Sequence, residues 1–130
     1  MTRYLLDSNL LIALSHNLHR DYPRVLAWAK DQDEMLICPI VQGAMIRYQI
    51  RIGNGLVIAR ALLKRFHDEP RFVWIPDNLD FDQANLSGIV GHRQVTDVYL
   101  TELALRHDAL LATLDTGIAA LRPDGTFLIQ

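Results

Sequence analysis

Short apolar runs alternate along this chain with longer stretches in which apolar residues recur every three or four positions. Tyr4 to Asp7, Met35 to Cys38, Phe72 to Ile75, Leu110 to Leu114 and Phe127 to Ile129 are short and mostly bounded by Asp, Pro or Gly, which predicts strands. Between them, helical spacing predicts helices. Leu10 to Leu14 opens the first, and Asp21 to Gln32 carries Val25, Leu26, Trp28 and Ala29 behind a cap with Pro23 near the first turn. Val41 to Arg51 places Val41, Met45, Ile46 and Ile50 at helical intervals, and Leu56 to His67 does the same with Ala59, Leu62, Leu63 and Phe66. Phe81 to Ile89 reads as a short helix. Thr96, as N-cap, opens another that runs to about His107, and Thr116 to Leu121 is the last. Strands alternating with helices call for a parallel sheet covered on both faces. The expected fold is therefore α/β, a three-layer α/β/α sandwich around about five parallel strands.

Composition narrows this only a little. A chain of 130 residues with 50% apolar content suits one domain, spanning 1–130, with a sizeable core. Its net charge of -2 argues against nonspecific adhesion to DNA or a membrane, so any RNA contact must come from a local patch. Eleven of its thirteen basic residues are Arg, whose guanidinium groups suit bidentate phosphate contacts. The single cysteine, Cys38, lies in an apolar run and cannot form an internal disulfide. No leader pattern opens the chain and no apolar stretch approaches membrane-spanning length, so a cytoplasmic protein is expected.

Candidate chemistry sits at the ends of the strands. Asp7 closes the first run, Asp115 follows the fourth, Asp97 lies at the start of the helix leading into the fourth, and Gln42 follows the second. Taken singly, each aspartate has an ordinary explanation as a helix cap or a first-turn acid. Jointly they carry more weight, because the carboxyl ends of parallel strands share one edge. If the first and fourth strands are central neighbours, three carboxylates crowd one pocket, and their repulsion calls for a cation or a proton. Hard oxygen ligands suit Mg²⁺ or Mn²⁺, which can activate water and stabilise a phosphodiester in transfer.

The same residues carry a family resemblance. Leu5-Leu6-Asp7-Ser8-Asn9, Cys38-Pro39-Ile40-Val41-Gln42, Gly91 to Leu100 and Ala112-Thr113-Leu114-Asp115 resemble PIN-domain proteins of the VapC toxin type, over the whole chain. The resemblance implies an endoribonuclease using Mg²⁺ or Mn²⁺, usually a homodimer, held inactive by a VapB-type antitoxin in a type II toxin–antitoxin pair. It implies Asp7 and Asp97 as primary metal ligands and Asp115 as the further acid. Gln42 departs from the glutamate that many members carry after the second strand, which leaves a catalytically weakened RNA- or antitoxin-binding module as the alternative. With three carboxylates, one ion is expected to bind well and a second only weakly before RNA adds negative charge.

Around this set, Ser8, Asn9, Thr96 and Thr113 offer hydrogen bonds that orient ligands or waters. Arg47 and Arg51 share a helix face after Gln42, and Arg93 precedes Asp97 by four residues, so all three are candidates for RNA contact. His92 and His107 have no Ser or Cys partner that would make a triad. A phosphoacceptor domain would need adjacent acids at the first strand, and a haloacid-dehalogenase phosphatase would need Asp-x-Asp where Asp7-Ser8-Asn9 stands. Gly-rich phosphate loops are missing too.

Overall fold

The computed structural model describes residues 2–130. Five parallel strands, β1 (Arg3–Leu6), β2 (Met35–Ile37), β3 (Phe72–Trp74), β4 (Ala109–Thr113) and β5 (Thr126–Leu128), form one sheet in the order β3-β2-β1-β4-β5. The register is direct: Leu5 pairs with Leu36 on one side and with Leu111 on the other. From β1 the chain steps outward through β2 to β3, then crosses back to β4 and continues to β5. The order therefore reverses between β1 and β4, and a crevice opens there beyond their carboxyl ends.

Helices α1 (Ser8–Leu14), α2 (Tyr22–Lys30), α3 (Pro39–Arg51) and α4 (Gly55–Asp68) pack on one another, while α5 (Gln94–Arg106) packs against α6 (Thr116–Leu121). Right-handed crossovers put the first four on one face and the last two on the other. Covered on both sides, the central strands are apolar throughout: Leu5, Leu6, Leu36, Ile37, Leu111 and Ala112 are all fully buried. The edge strands are only three residues long and partly exposed, which limits the unpaired backbone they present. Tyr4 packs edge-on against Trp28 of α2 and tilted against Phe127 of β5, with ring centroids 5.3 Å apart in both pairs. Trp74, by contrast, is half exposed at the end of β3 and belongs to no core.

Pro39 and Pro23 sit in the first turns of α3 and α2, as their fixed φ favours. Gly125 lets the β5 turn close onto α5, because a Cβ there would lie 2.6 Å from Thr101 Cγ2. One buried polar group braces the helical layer. Gln49 of α3, fully buried, donates from Nε2 to Ser15 Oγ at 2.9 Å and accepts from Asn54 Nδ2 at 2.6 Å, tying the end of α1 to the α3–α4 turn.

Two expected features differ. The helix expected over Phe81 to Ile89 is a string of turns: Asp80 Oδ1 accepts the Asp82 N–H, Asn85 Oδ1 accepts the Ser87 N–H and hydroxyl, and Gly88 has φ +90°. Side chains that bond their own backbone compete with helix formation. The apolar residues still serve packing: Leu86 and Ile89 lie against the core, and Phe81 stacks on Tyr99 at 4.3 Å. The second difference concerns α5, which begins at Gln94 with Arg93 as N-cap, so Thr96 lies inside the first turn and does not cap it. The turn Gly91-His92-Arg93 rolls into the helix through Gln94 N–H to Gly91 O at 3.1 Å.

Candidate active site

Asp7 directly follows β1 and is 2% exposed. Its Oδ1 accepts the Ser8 N–H at 2.7 Å, capping α1, and its Oδ2 accepts the Thr113 hydroxyl at 2.6 Å. Capping and site formation are thus compatible, because each uses a different part of the carboxylate. Thr113, the last residue of β4 and fully buried, also accepts the Asp115 N–H at 3.0 Å and the Asn9 amide at 3.4 Å. Asn9 Oδ1 accepts the Leu114 N–H at 3.3 Å, so Asn9 cross-links α1 to the end of β4 rather than capping. Ser8 supplies its backbone N–H, and its hydroxyl has no protein partner among the described residues.

Asp115 caps α6 through Oδ1, which accepts the Gly117 N–H at 2.7 Å, and its side chain stands exposed. A Cβ at Gly117 would come within 3.0 Å of that oxygen, so glycine keeps the cap in place. Asp97 is in the first turn of α5, half-buried, and no donor among the described residues bonds its carboxylate. Burial first, then the nearby charges of Asp7 and Asp115, push Asp97 up from 3.8 to about 6. Burial also raises Asp7, with a smaller push from Asp115, against the hydrogen bonds from Thr113 and Ser8 that favour its charged form. The three aspartates brought together by β1, β4 and α5 therefore form one electrostatic unit at the crevice. Hard carboxylate oxygens that repel one another, one of them without a donor, suit a divalent cation. Among the described residues the acids do not close into a preformed cage of three ligands.

A cleft of about 130 Å³ opens beside them, lined by Arg93, Gln94, Asp97, Asp115, Gly117, Ile118 and Leu121. Arg93 thus stands at the site. Gln42, one turn into α3, directs its amide Nε2 to His67 Nε2 of α4 at 3.1 Å and does not line this cleft. Arg47 is exposed, with its Nη1 near Gly43, one turn closer to the start of α3. Arg51, at the far end of α3, lies 5.8 Å from the Tyr48 ring centre, as a solvated surface arginine does. His107 lies at the opposite end of α5, bonded to Asn78 at 2.8 Å, and takes no part in the site. Cys38 is fully buried, and burial pushes its thiol up to about 11, which leaves it unreactive. Gln94 and Gly117 line the cleft without standing out along the sequence. Gln94 falls in the Gly91 to Leu100 segment that carries part of the resemblance, but its polar neighbours make it look like a loop residue.

A parallel sheet of this order, with aspartates gathered at its carboxyl edge, defines a PIN-type domain. No family model matches the sequence. The chain is 40% identical over 126 residues to the ribonuclease VapC29 of Mycobacterium tuberculosis, covering 96% of this chain and 95% of that protein. It is 34% identical over 129 residues to the ribonuclease VapC44 of the same species, covering 90% and 89%. The chain belongs to the VapC ribonuclease family. In fold it is similar to the M. tuberculosis toxin VapC20, a Sarcin-Ricin loop cleaving toxin, with TM-score 0.70, 12% identity and coverage of 91% and 94%. A chain of VapBC2 from Rickettsia felis, in a structure bound to a DNA fragment from the promoter, aligns with TM-score 0.64, 16% identity and coverage of 99% and 100%. Among the described residues no helix is long and apolar enough to cross a membrane.

Proposed function

We propose that this chain is the toxin of a type II toxin–antitoxin pair and cleaves RNA as an endonuclease dependent on Mg²⁺ or Mn²⁺. The observation that carries the reading is the gathering of Asp7, Asp97 and Asp115 at the carboxyl edge, with Asp97 half-buried and, among the described residues, lacking a donor. Asp7, Asp97 and Asp115 would hold the ion. When bound, it would supply a water activated for attack and offset the charge developing on the phosphodiester.

The protein's own groups prepare that site. The Thr113 hydroxyl fixes the rotamer of Asp7 and favours its charged form against the burial that raises it, while the Gly117 N–H holds Asp115 by Oδ1 and leaves Oδ2 without a donor among the described residues. Arg93, on the cleft wall, offers a guanidinium to a backbone phosphate. RNA as substrate follows the naming of the VapC relatives, and a VapB-type antitoxin follows the pairing in the VapBC2 structure. Ile50, Ile52, Leu56, Val57 and Ile58, all exposed around the α3–α4 turn, supply an apolar surface for the antitoxin or for a homodimer.

The deciding experiment is cleavage of a single-stranded RNA pool with Mn²⁺, with chelator, and with Asp7→Asn. Cleavage is expected only for the unmodified protein with metal, and cutting that persists in chelator would remove the assignment. RNA that is bound but left whole would favour the weakened binding module.

Gln42→Glu probes the neutral position. The change adds a fourth negative charge, and calorimetry should show Mn²⁺ binding tightened by about tenfold, a size typical of groups around a metal. Unchanged affinity would place residue 42, held by His67, outside the ion's surroundings.

A further inference from the structure

Gln94 is the first residue of α5 and lines the cleft beside Asp97 and Asp115, yet its side chain does something unusual for a helix start. Its Oε1 accepts two backbone N–H groups of the preceding loop, Val90 at 2.7 Å and Gly91 at 3.1 Å. Two bonds to one oxygen fix the plane of the carboxamide. The Nε2 protons then have no protein acceptor among the described residues, and the atom is not sealed from solvent. Gln94 thus stands in the cleft wall with its carboxamide fixed and its Nε2 available as a pair of donors.

What those donors suit follows from the rest of the lining. Arg93, the neighbouring residue, adds only donors, Ile118 and Leu121 add apolar surface, and the acceptors Asp97 and Asp115 belong to the carboxylate cluster already described. An edge that presents acceptors alone, on a flat apolar body, would satisfy both. Of the four RNA bases, only guanine offers two adjacent acceptors, O6 and N7, on its Hoogsteen edge; adenine pairs its N7 with an amino donor, cytosine presents a donor, and uracil presents the single acceptor O4. Single-stranded RNA leaves that edge accessible, and unstacked bases are commonly read there.

We propose that Gln94, with Arg93, is a specificity-determining contact that reads the O6/N7 edge of a guanine next to the scissile phosphate. This rests on the reading of the site as one that takes single-stranded RNA. A phosphate is also an acceptor-only group, and experiment separates it from a base, because removing a donor to phosphate weakens the binding of all sequences alike.

Gln94→Glu is the informative substitution: a carboxylate still accepts from Val90 and Gly91, so the loop keeps its anchor while the donors are gone. Cut sites in a random single-stranded RNA pool, mapped with saturating Mn²⁺, should show guanine enriched at one position beside the cut. That enrichment should fall by about tenfold in Gln94→Glu. In parallel, the Asp7→Asn protein is titrated with short labelled RNAs carrying guanine or 7-deazaguanine, which lacks N7, at that position. In the absence of cleavage, RNAs with the guanine at each position in turn serve instead. Binding should weaken by about tenfold for the 7-deaza base, and this difference should vanish when Gln94→Glu is added. Equal binding of the two bases by the Asp7→Asn protein, or a cut-site profile unchanged by Gln94→Glu even where the added carboxylate weakens all sequences alike, would each overturn the proposal. Failure of the nuclease reading would appear separately, as no metal-dependent cutting, while the binding comparison still decides the role of Gln94.

Discussion

Asp97→Asn is expected to abolish RNA cleavage while raising the melting temperature of the metal-free protein. Both effects have one cause. The carboxylate is half-buried, has no donor among the described residues and feels the charges of Asp7 and Asp115, so its own charge is unfavourable in the fold unless a cation offsets it. An amide keeps the shape and removes the charge. Because changes to residues that merely support metal ligands cost about 10–100-fold, loss of a ligand should lower cleavage by at least about 100-fold. The pH dependence follows the same logic. With a folded value of about 6 against 3.8, the folded protein holds the proton more tightly than the unfolded chain between those values. Stability linked to that proton is fully present below 3.8 and is lost as pH rises through about 6. Calorimetric scans without metal should therefore show the melting temperature falling as pH rises from about 4 to about 6. Asp97→Asn should flatten, though not erase, that slope, since Asp7 is raised too. A variant that melts lower than the parent at neutral pH, or a flat parental profile, would refute this account of the site.

Thr113→Val should have the opposite effect on stability and a similar direction on activity. The hydroxyl is fully buried; it donates to Asp7 Oδ2 and accepts from the Asp115 N–H and the Asn9 amide. Valine fills the space and satisfies none of them. Leaving buried donors and a charged acceptor unpaired costs roughly 2–3 kcal/mol, which for a domain of this size lowers the melting temperature by about 5–12 °C. Asp7 also loses a bond that favours its ionised form, so Mn²⁺ affinity should drop by about 10–100-fold. Thr113→Ser, which keeps the hydroxyl, should retain most of both properties. Damage from serine, which lacks the methyl group, with valine tolerated would mean that the methyl group's packing, and not the hydrogen bonds, is what matters.

Much of the architecture is legible along the chain because its signals are local. The short apolar runs are the five strands, and α6 spans the residues that its spacing predicts, Thr116 to Leu121. Expectation and structure part where backbone-bonding side chains override apolar spacing. Around Phe81 to Ile89, Asp80, Asn85 and Gly88 impose turns, and before α5 the Gly91-His92-Arg93 turn starts the helix two residues ahead of the Thr that resembles a cap.

For the site, the residue types and their positions at strand ends are set by the sequence alone, because alternation of strand and helix puts those ends on a single edge. Which of them meet, and in what state, required the tertiary fold. Asp7 and Thr113 are 106 positions apart and 2.6 Å from each other, and Gln42 finds His67 across 25 positions. No local pattern encodes such partners. Desolvation is likewise a property of everything packed around a group, which is why Asp97, an ordinary first-turn acid by sequence, becomes in the folded protein a carboxyl pushed up to about 6.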